Sequence, residues 1–190
     1  QHNLYDLLDD GKKVILEFTA TWCGPCWNHH QTGVLSQLYE AYGPDGTDEL
    51  RVFLLESDGS TNSLDLDGDG PNTLGDWVSN TPFPILDDAE WIFSLYNGNY
   101  YPTIFSICPD GTLSEAGWQS FEGHIANFAA NDCALALPLD EVALLGMNYS
   151  ESFCPGAPQT ITVQIQNQGL ENLTSANLSL SVDEQELQSL

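Results

Sequence analysis

The sequence predicts a mixed α/β sandwich followed by the beginning of an all-β segment, and three observations carry that expectation. Short apolar runs that read as buried strands alternate with stretches of helical spacing over residues 4–133. The last two of those runs flank the turn Pro109-Asp110-Gly111 and pair back as a hairpin, so strands separated by helices finish in an antiparallel pair. After Ala134 to Asp140 the helical spacing stops, and apolar residues alternate with polar ones. The domains expected are therefore 1–136 and 137–190.

Each element has its own signal. Leu4 to Leu8 starts a short helix, and Asp9-Asp10-Gly11 turns the chain into Val14 to Phe18, a run dense enough in apolar residues to be a buried strand. That strand leads straight into Thr21-Trp22-Cys23-Gly24-Pro25-Cys26-Trp27. Val34, Leu35, Leu38, Tyr39 and Tyr42 then recur at helical spacing until Gly43-Pro44 stops the helix. Val52 to Leu55 is a second strand, a Gly/Asp/Ser/Asn-rich stretch spans Asp58 to Asn72, and a short helix is expected around Leu74 to Val78. Beyond Thr81-Pro82-Phe83-Pro84-Ile85, a helix is expected at Ala89 to Tyr96 and a strand at Thr103 to Ile107, entered through Tyr101-Pro102. Leu113 to Gly117 completes the hairpin, and Phe121, Ile125, Phe128 and Ala129 set a closing helix that ends near Cys133. In the last segment Val142 to Met147 is strand-like, Ile161, Val163 and Ile165 alternate with polar residues, and so do Leu178, Leu180 and Val182. Three such strands fall short of the roughly seven of a complete sandwich, so this reads as a partial, immunoglobulin-like module cut short at Leu190.

Charge excludes whole classes of partner. Against 28 acidic residues stand only Lys12, Lys13 and Arg51, for a net charge of -25. Such a surface repels nucleic acid and anionic membrane alike, and suits a salty or calcium-rich medium in which counterions screen it. No stretch reaches the roughly 18 to 20 apolar residues that span a bilayer, and residues 1–20 lack the basic start and apolar run of a signal peptide. With no methionine at Gln1 and a strand-like pattern running into Leu190, the chain reads as a processed piece of something longer. Its five cysteines fit an oxidising compartment, periplasmic or extracellular.

Cys23 and Cys26, separated by two residues at a helix start, form the arrangement that disulfide exchange requires. The loop between them is short enough for an unstrained bond, and the first sulfur is expected to be exposed. The partial positive charge of the helix end favours the Cys23 thiolate, the nucleophile, and Cys26, one turn further in, is the resolving thiol. Zinc would need two more ligands at comparable spacing, which Cys108, Cys133, His29 and His30 do not supply. A structural disulfide that never cycles is the rival use.

Trp22-Cys23-Gly24-Pro25-Cys26 after a buried strand, with Tyr101-Pro102-Thr103 opening a later strand that ends in Pro109-Asp110-Gly111, resembles thioredoxin over roughly residues 4–133. The resemblance implies a three-layer α/β/α sandwich and a monomer that needs no cofactor. Its substrates would be protein disulfides or dithiols, with a redox partner that the sequence does not name. It also implies that Pro102 follows a cis peptide bond and faces the disulfide, while Trp22 and the Tyr101 backbone meet an extended substrate. Glu17, six residues before Cys23, stands where thioredoxins bury an acid beneath the site. Turned inward it would be a stronger base, able to take the proton from Cys26; at the sheet edge it would simply be solvated. Trp27 departs from the lysine common at its position, and His29 and His30 read as solvated helix-face residues. The long Asp58 to Asn72 insertion resembles secreted bacterial thioredoxin-like and redoxin relatives. Gly-Pro between the cysteines resembles the reducing members, but outside the cytosol the partner sets the direction.

Asp65, Asp67, Asp69 and Gly70, with Asp76 at the twelfth position, fit the opening of a structural calcium (Ca²⁺) loop, since alternating aspartates turn their oxygens to one side. Aspartate replaces the usual glutamate there, and a solvated acidic turn is the alternative. Cys108 and Cys133 end a strand and a helix and could meet as a structural disulfide; Cys133 with Cys154 is the other connectivity. Trp77, Trp91 and Trp118 read as core and surface packing. Two further functions compete with exchange: a secreted binding or adhesion protein that uses the fold as a scaffold, and peroxide reduction, whose lone cysteine after threonine and proline is not seen.

Overall fold

A computed structural model describes residues 2–136 and the strands Val142–Asn148, Thr162–Asn167, Ser179–Val182 and Gln185–Ser189. In chain order the first part contains α1 (Leu4–Asp9), β1 (Lys13–Thr19), α2 (Gly24–Gln31), α3 (Val34–Tyr42), β2 (Leu50–Glu56) and α4 (Ser63–Leu66). It continues with β3 (Ile85–Leu86), α5 (Glu90–Leu95), β4 (Thr103–Ile107), β5 (Leu113–Glu115) and α6 (Phe121–Ala130). The chain divides into two compact units, Gln1–Ala136 and Leu137–Leu190.

Apolar density without alternation puts β1 at the centre: every residue of it is buried. The sheet order is β3-β2-β1-β4-β5. β1 runs parallel to β2, with Thr19 opposite Glu56, and antiparallel to β4, with Phe18 opposite Thr103. One end of the sheet therefore gathers the cysteine turn after β1, the Glu56 to Asp58 segment after β2 and the Tyr101-Pro102 entry to β4.

Alternate residues of the central strands feed two cores. Ile15, Val52, Leu54 and Ile104 pack with Cys26, Leu35, Leu38 and Phe128, from α2, α3 and α6. Val14, Leu16, Phe18, Phe53 and Phe105 pack on the other face with Leu8 of α1 and Phe93 of α5. Helices thus cover both faces of the sheet. Burial on this scale stabilises by about 25 cal/mol per Å² of apolar surface removed from water.

Several elements differ from the sequence reading. The helix beyond the cysteines breaks at Gly33, whose φ of +66° only a residue without Cβ takes up freely, so α2 and α3 meet at a bend. No helix forms at Leu74 to Val78. Gly75 lies so close to the Trp27 ring that a Cβ there would clash, and Asp76 Oδ1 accepts the backbone N–H groups of Val78 and Ser79 in a local turn. The insertion instead forms α4, closed by a capping box between Asn62 and Asp65. The two-residue edge strand β3 also goes beyond the sequence reading.

In the second unit β6 (Val142–Asn148) pairs antiparallel with β7 (Thr162–Asn167), and β8 (Ser179–Val182) with β9 (Gln185–Ser189), a strand the apolar pattern did not announce. Along β7, Val163 and Ile165 are half-buried while Thr162, Gln164 and Gln166 are exposed, the alternation of a one-sided strand. Cys154, Ile161 and Leu178 lie outside the described residues.

Candidate active site

Cys23 is the N-cap of α2, and its Sγ accepts a hydrogen bond from the Cys26 backbone N–H at 3.2 Å. Pro25 sits in the first turn, where its missing N–H leaves no helical bond unmade. Cys23 and Cys26 form a disulfide with Cα atoms 5.3 Å apart. Contrary to the expected exposure of the first sulfur, Cys23 keeps only 4% of its surface and Cys26 none. The reason is local: Trp22 and Tyr101, whose rings meet edge-on at 6.3 Å, wall the turn. What solvent access remains is through an open groove of about 500 Å³, lined by Trp22, Cys23, Phe93, Tyr100 and Tyr101.

The groove walls are held from behind. The Trp22 indole, 48% exposed, donates to Asp58 at 2.7 Å. The Tyr101 hydroxyl donates to the Ser57 carbonyl at 2.7 Å, and its ring stacks on Phe93 at 4.8 Å. Burial, aided by the charges of Asp58, Glu56 and Glu90, pushes that hydroxyl up to about 12. The Tyr101-Pro102 peptide bond is cis.

Beneath the turn, Glu17 is 1% exposed. On β1 it shares the parity of Ile15 and so faces the layer that holds Cys26. Its Oε1 lies 2.9 Å from Nδ1 of His29, which stands one turn after Cys26 on the buried face of α2. The solvated reading of His29 is therefore corrected: it is 1% exposed, its Nε2 has no partner, and Trp118 meets its ring edge-on at 5.4 Å. α2 presses against the sheet at this turn, so a polar side chain there needs the carboxylate below it. His30 is half-buried, stacked on Trp27 at 5.4 Å, and burial lowers its pKa below the ordinary histidine value. His124 of α6 is buried with both ring nitrogens unpartnered, and burial pushes it down to about 4.

Glu56 was missed. It is fully buried, on the same sheet face as Glu17, and its Oε2 has no partner. Burial pushes its carboxyl up to about 7, against hydrogen bonds from the Thr61 hydroxyl and the Asp58 and Thr21 backbone that favour the charged form. An acid ending the apolar run Val52 to Leu55 was the available signal, since a strand buried on both faces has no wet side for it.

The four aspartates of the insertion are not brought together. Asp65 is fully buried and spends its oxygens on the backbone N–H groups of Asn62, at 3.1 Å, and Asn72, at 2.8 Å. Asp76 is occupied by Val78 and Ser79, and no cluster of three or more His, Cys, Asp or Glu side chains with metal-binding geometry occurs among the described residues. Cys108 and Cys133 form a second disulfide, with Cα atoms 5.9 Å apart. Trp77 is fully buried, whereas Trp91 and Trp118 are 66% and 51% exposed. No described helix is long and apolar enough to cross a membrane.

No family model matches the chain. Thioredoxin-like protein YneN of Bacillus subtilis is 28% identical over 130 residues, which are 68% of this chain and 66%, just under two thirds, of the relative. The exposed lipoprotein thioredoxin of Streptococcus pneumoniae is 22% identical, with 65% of this chain and 89% of that one covered at a TM-score of 0.47. A thioredoxin-like superfamily protein of known crystal structure superposes with a TM-score of 0.53 over 72% of this chain and 88% of its own, at 17% identity. With helices on both faces of the five-stranded sheet and the cysteine pair capping α2, this similarity establishes a thioredoxin-like fold.

Proposed function

We propose that this protein is a thiol-disulfide oxidoreductase that exchanges dithiols and disulfides with protein substrates outside the cytoplasm. One observation carries the reading: a disulfide between Cys23 and Cys26 caps a helix beside an open aromatic groove. In the reduced protein the Cys23 thiolate attacks a substrate disulfide, forms a mixed disulfide and releases one substrate thiolate. Cys26 gives its proton to Glu17 and attacks Cys23 Sγ. The Cys23-Cys26 bond closes, and the second substrate thiolate leaves with the electron pair. Two electrons move from protein to substrate, no cofactor takes part, and the reverse sequence oxidises a dithiol. Trp22 and the Tyr101-Pro102 segment would hold the substrate chain against the sulfurs. The Cys108-Cys133 bond supports an oxidising compartment.

Cys26→Ser is expected to accumulate mixed disulfides and Cys23→Ser to abolish insulin reduction; full activity in both would overturn the assignment. A second reading, a scaffold with an inert bond, is favoured by the 4% exposure of Cys23. Equilibration with dithiothreitol separates the two. Reduction with the fold intact supports exchange, with a potential near about -270 mV marking a reductase and about -120 to -180 mV an oxidase or isomerase. Reduction only on unfolding supports the scaffold.

A further inference from the structure

All the lysines and arginines of this protein lie at the end of the sheet away from the cysteine pair. Lys12 is paired with Asp48 at 2.7 Å, Lys13 with Glu49 at 3.0 Å and Arg51 with Asp48 at 2.6 Å, and the sequence has no others. β1 and β2 run parallel away from that end, and seven residues at about 3.3 Å each span roughly 20 Å. That is about twice the screening length at 0.1 M ionic strength, so the groove feels little of these charges.

Carboxylates stand at the groove end instead. Asp58 follows β2 and holds the Trp22 indole. Glu115 of β5 accepts the Tyr100 hydroxyl, and the Glu90 carboxylate lies where a Cβ on Gly59 would stand. Between them the groove offers aromatic surface to solvent: Trp22 is 48% and Tyr100 53% exposed. Aromatic faces backed by carboxylates attract ammonium and guanidinium groups and repel acidic chains.

We propose that the groove selects cationic polypeptide, an extended segment with lysine or arginine beside its disulfide-bonded cysteine. The positive side chain would sit against Trp22 and Tyr100, within the field of Asp58, Glu90 and Glu115. The same charge comes close to Cys23, where it favours the thiolate that the surrounding carboxylates oppose. This substrate class rests on the exchange reading above.

The test uses the reduced full chain and disulfide peptides that differ only in flanking residues: lysine and arginine, glutamine, or glutamate. Each rate is divided by the rate of the same peptide with dithiothreitol, which removes its intrinsic reactivity. At about 20 mM salt the cationic peptide is expected to react at least about tenfold faster than the acidic one, with the ratio collapsing toward unity near about 500 mM. Glu90→Gln combined with Glu115→Gln lowers the ratio, while Asp110→Asn, which removes a carboxylate at the opposite end of the sheet, leaves it unchanged. Equal normalised rates with a reactive glutamine peptide overturn the substrate preference and leave exchange standing, as does a preference untouched by the Glu90 and Glu115 changes. No reaction with any peptide or with insulin overturns the exchange reading itself.

Discussion

Glu17 and Glu56 project from neighbouring strands onto one face of the sheet, and what surrounds each decides what its proton can do. Glu17 has the His29 ring as partner at 2.9 Å and faces the layer that holds Cys26, the placement that its proposed role as acceptor of the Cys26 proton requires. Glu17→Gln keeps the shape and loses the base. Resolution of the mixed disulfide should slow by roughly a hundredfold at neutral pH, with the gap narrowing as pH rises and solvent takes the proton instead; an unchanged rate in stopped-flow quench would sink the role. Glu56 has no such partner for its Oε2, and its folded-state value, about 7, lies above the ordinary glutamate value. Between those values the folded protein holds a proton that the unfolded chain has released, so this group's contribution to stability falls as pH rises through the window. Below the window both states are protonated and it contributes no pH dependence. The urea midpoint of the parent minus that of Glu56→Gln should therefore be larger at about pH 5 than at about pH 8; a constant difference would remove Glu56 from the pH response.

At the scale of elements, the strands were legible because β1, β2 and β4 are dense in apolar residues and buried nearly throughout, and the site was legible as far as the cysteine turn and the Tyr101-Pro102 entry. The histidines were not. In α2 the buried positions are Cys26 and His29, so helical spacing selects one sulfur and one polar ring, and no apolar stripe marks the inward face. The insertion misled for a related reason: Leu74, Trp77 and Val78 have helical spacing, but Trp77 alone is buried, and Gly75 is needed for contact with Trp27. Alternating aspartates suggest ligands when read as a string, whereas Asp65 is spent on a helix cap. The Cys108-Cys133 bond ties the end of β4 to the residues after α6 and closes a separation of 25 residues. Replacing both cysteines by serine should cost about 3 kcal/mol of stability by urea denaturation, since the unfolded chain regains that loop's freedom. Exchange through Cys23 should keep its rate, because Cys108 lies at the end of the sheet remote from the turn; a lost activity in a folded variant would show the two disulfides to be coupled.

For the molecule as a whole, charge sets two opposing responses to salt. Three ion pairs hold the chain at Asp48 and Glu49, each worth at most about 1 kcal/mol where exposed, and salt weakens them. Against them stands a net charge of -25, which every compact state must hold closer together than the unfolded chain does. Raising ionic strength from about 0.01 M to 0.15 M shortens the screening length from about 30 Å to about 8 Å, which removes repulsion between carboxylates across the molecule but only dulls attraction between atoms already in contact. The repulsive term is therefore the one salt relieves most, and the thermal midpoint should rise by several degrees over that range in sodium chloride. A midpoint that falls would mean that the Lys12, Lys13 and Arg51 pairs outweigh the excess of acid. Substituting Arg51→Gln separates the two cases: it should lower the midpoint most at low salt if the pairs dominate, and only slightly at any salt if the self-repulsion of the acidic surface does.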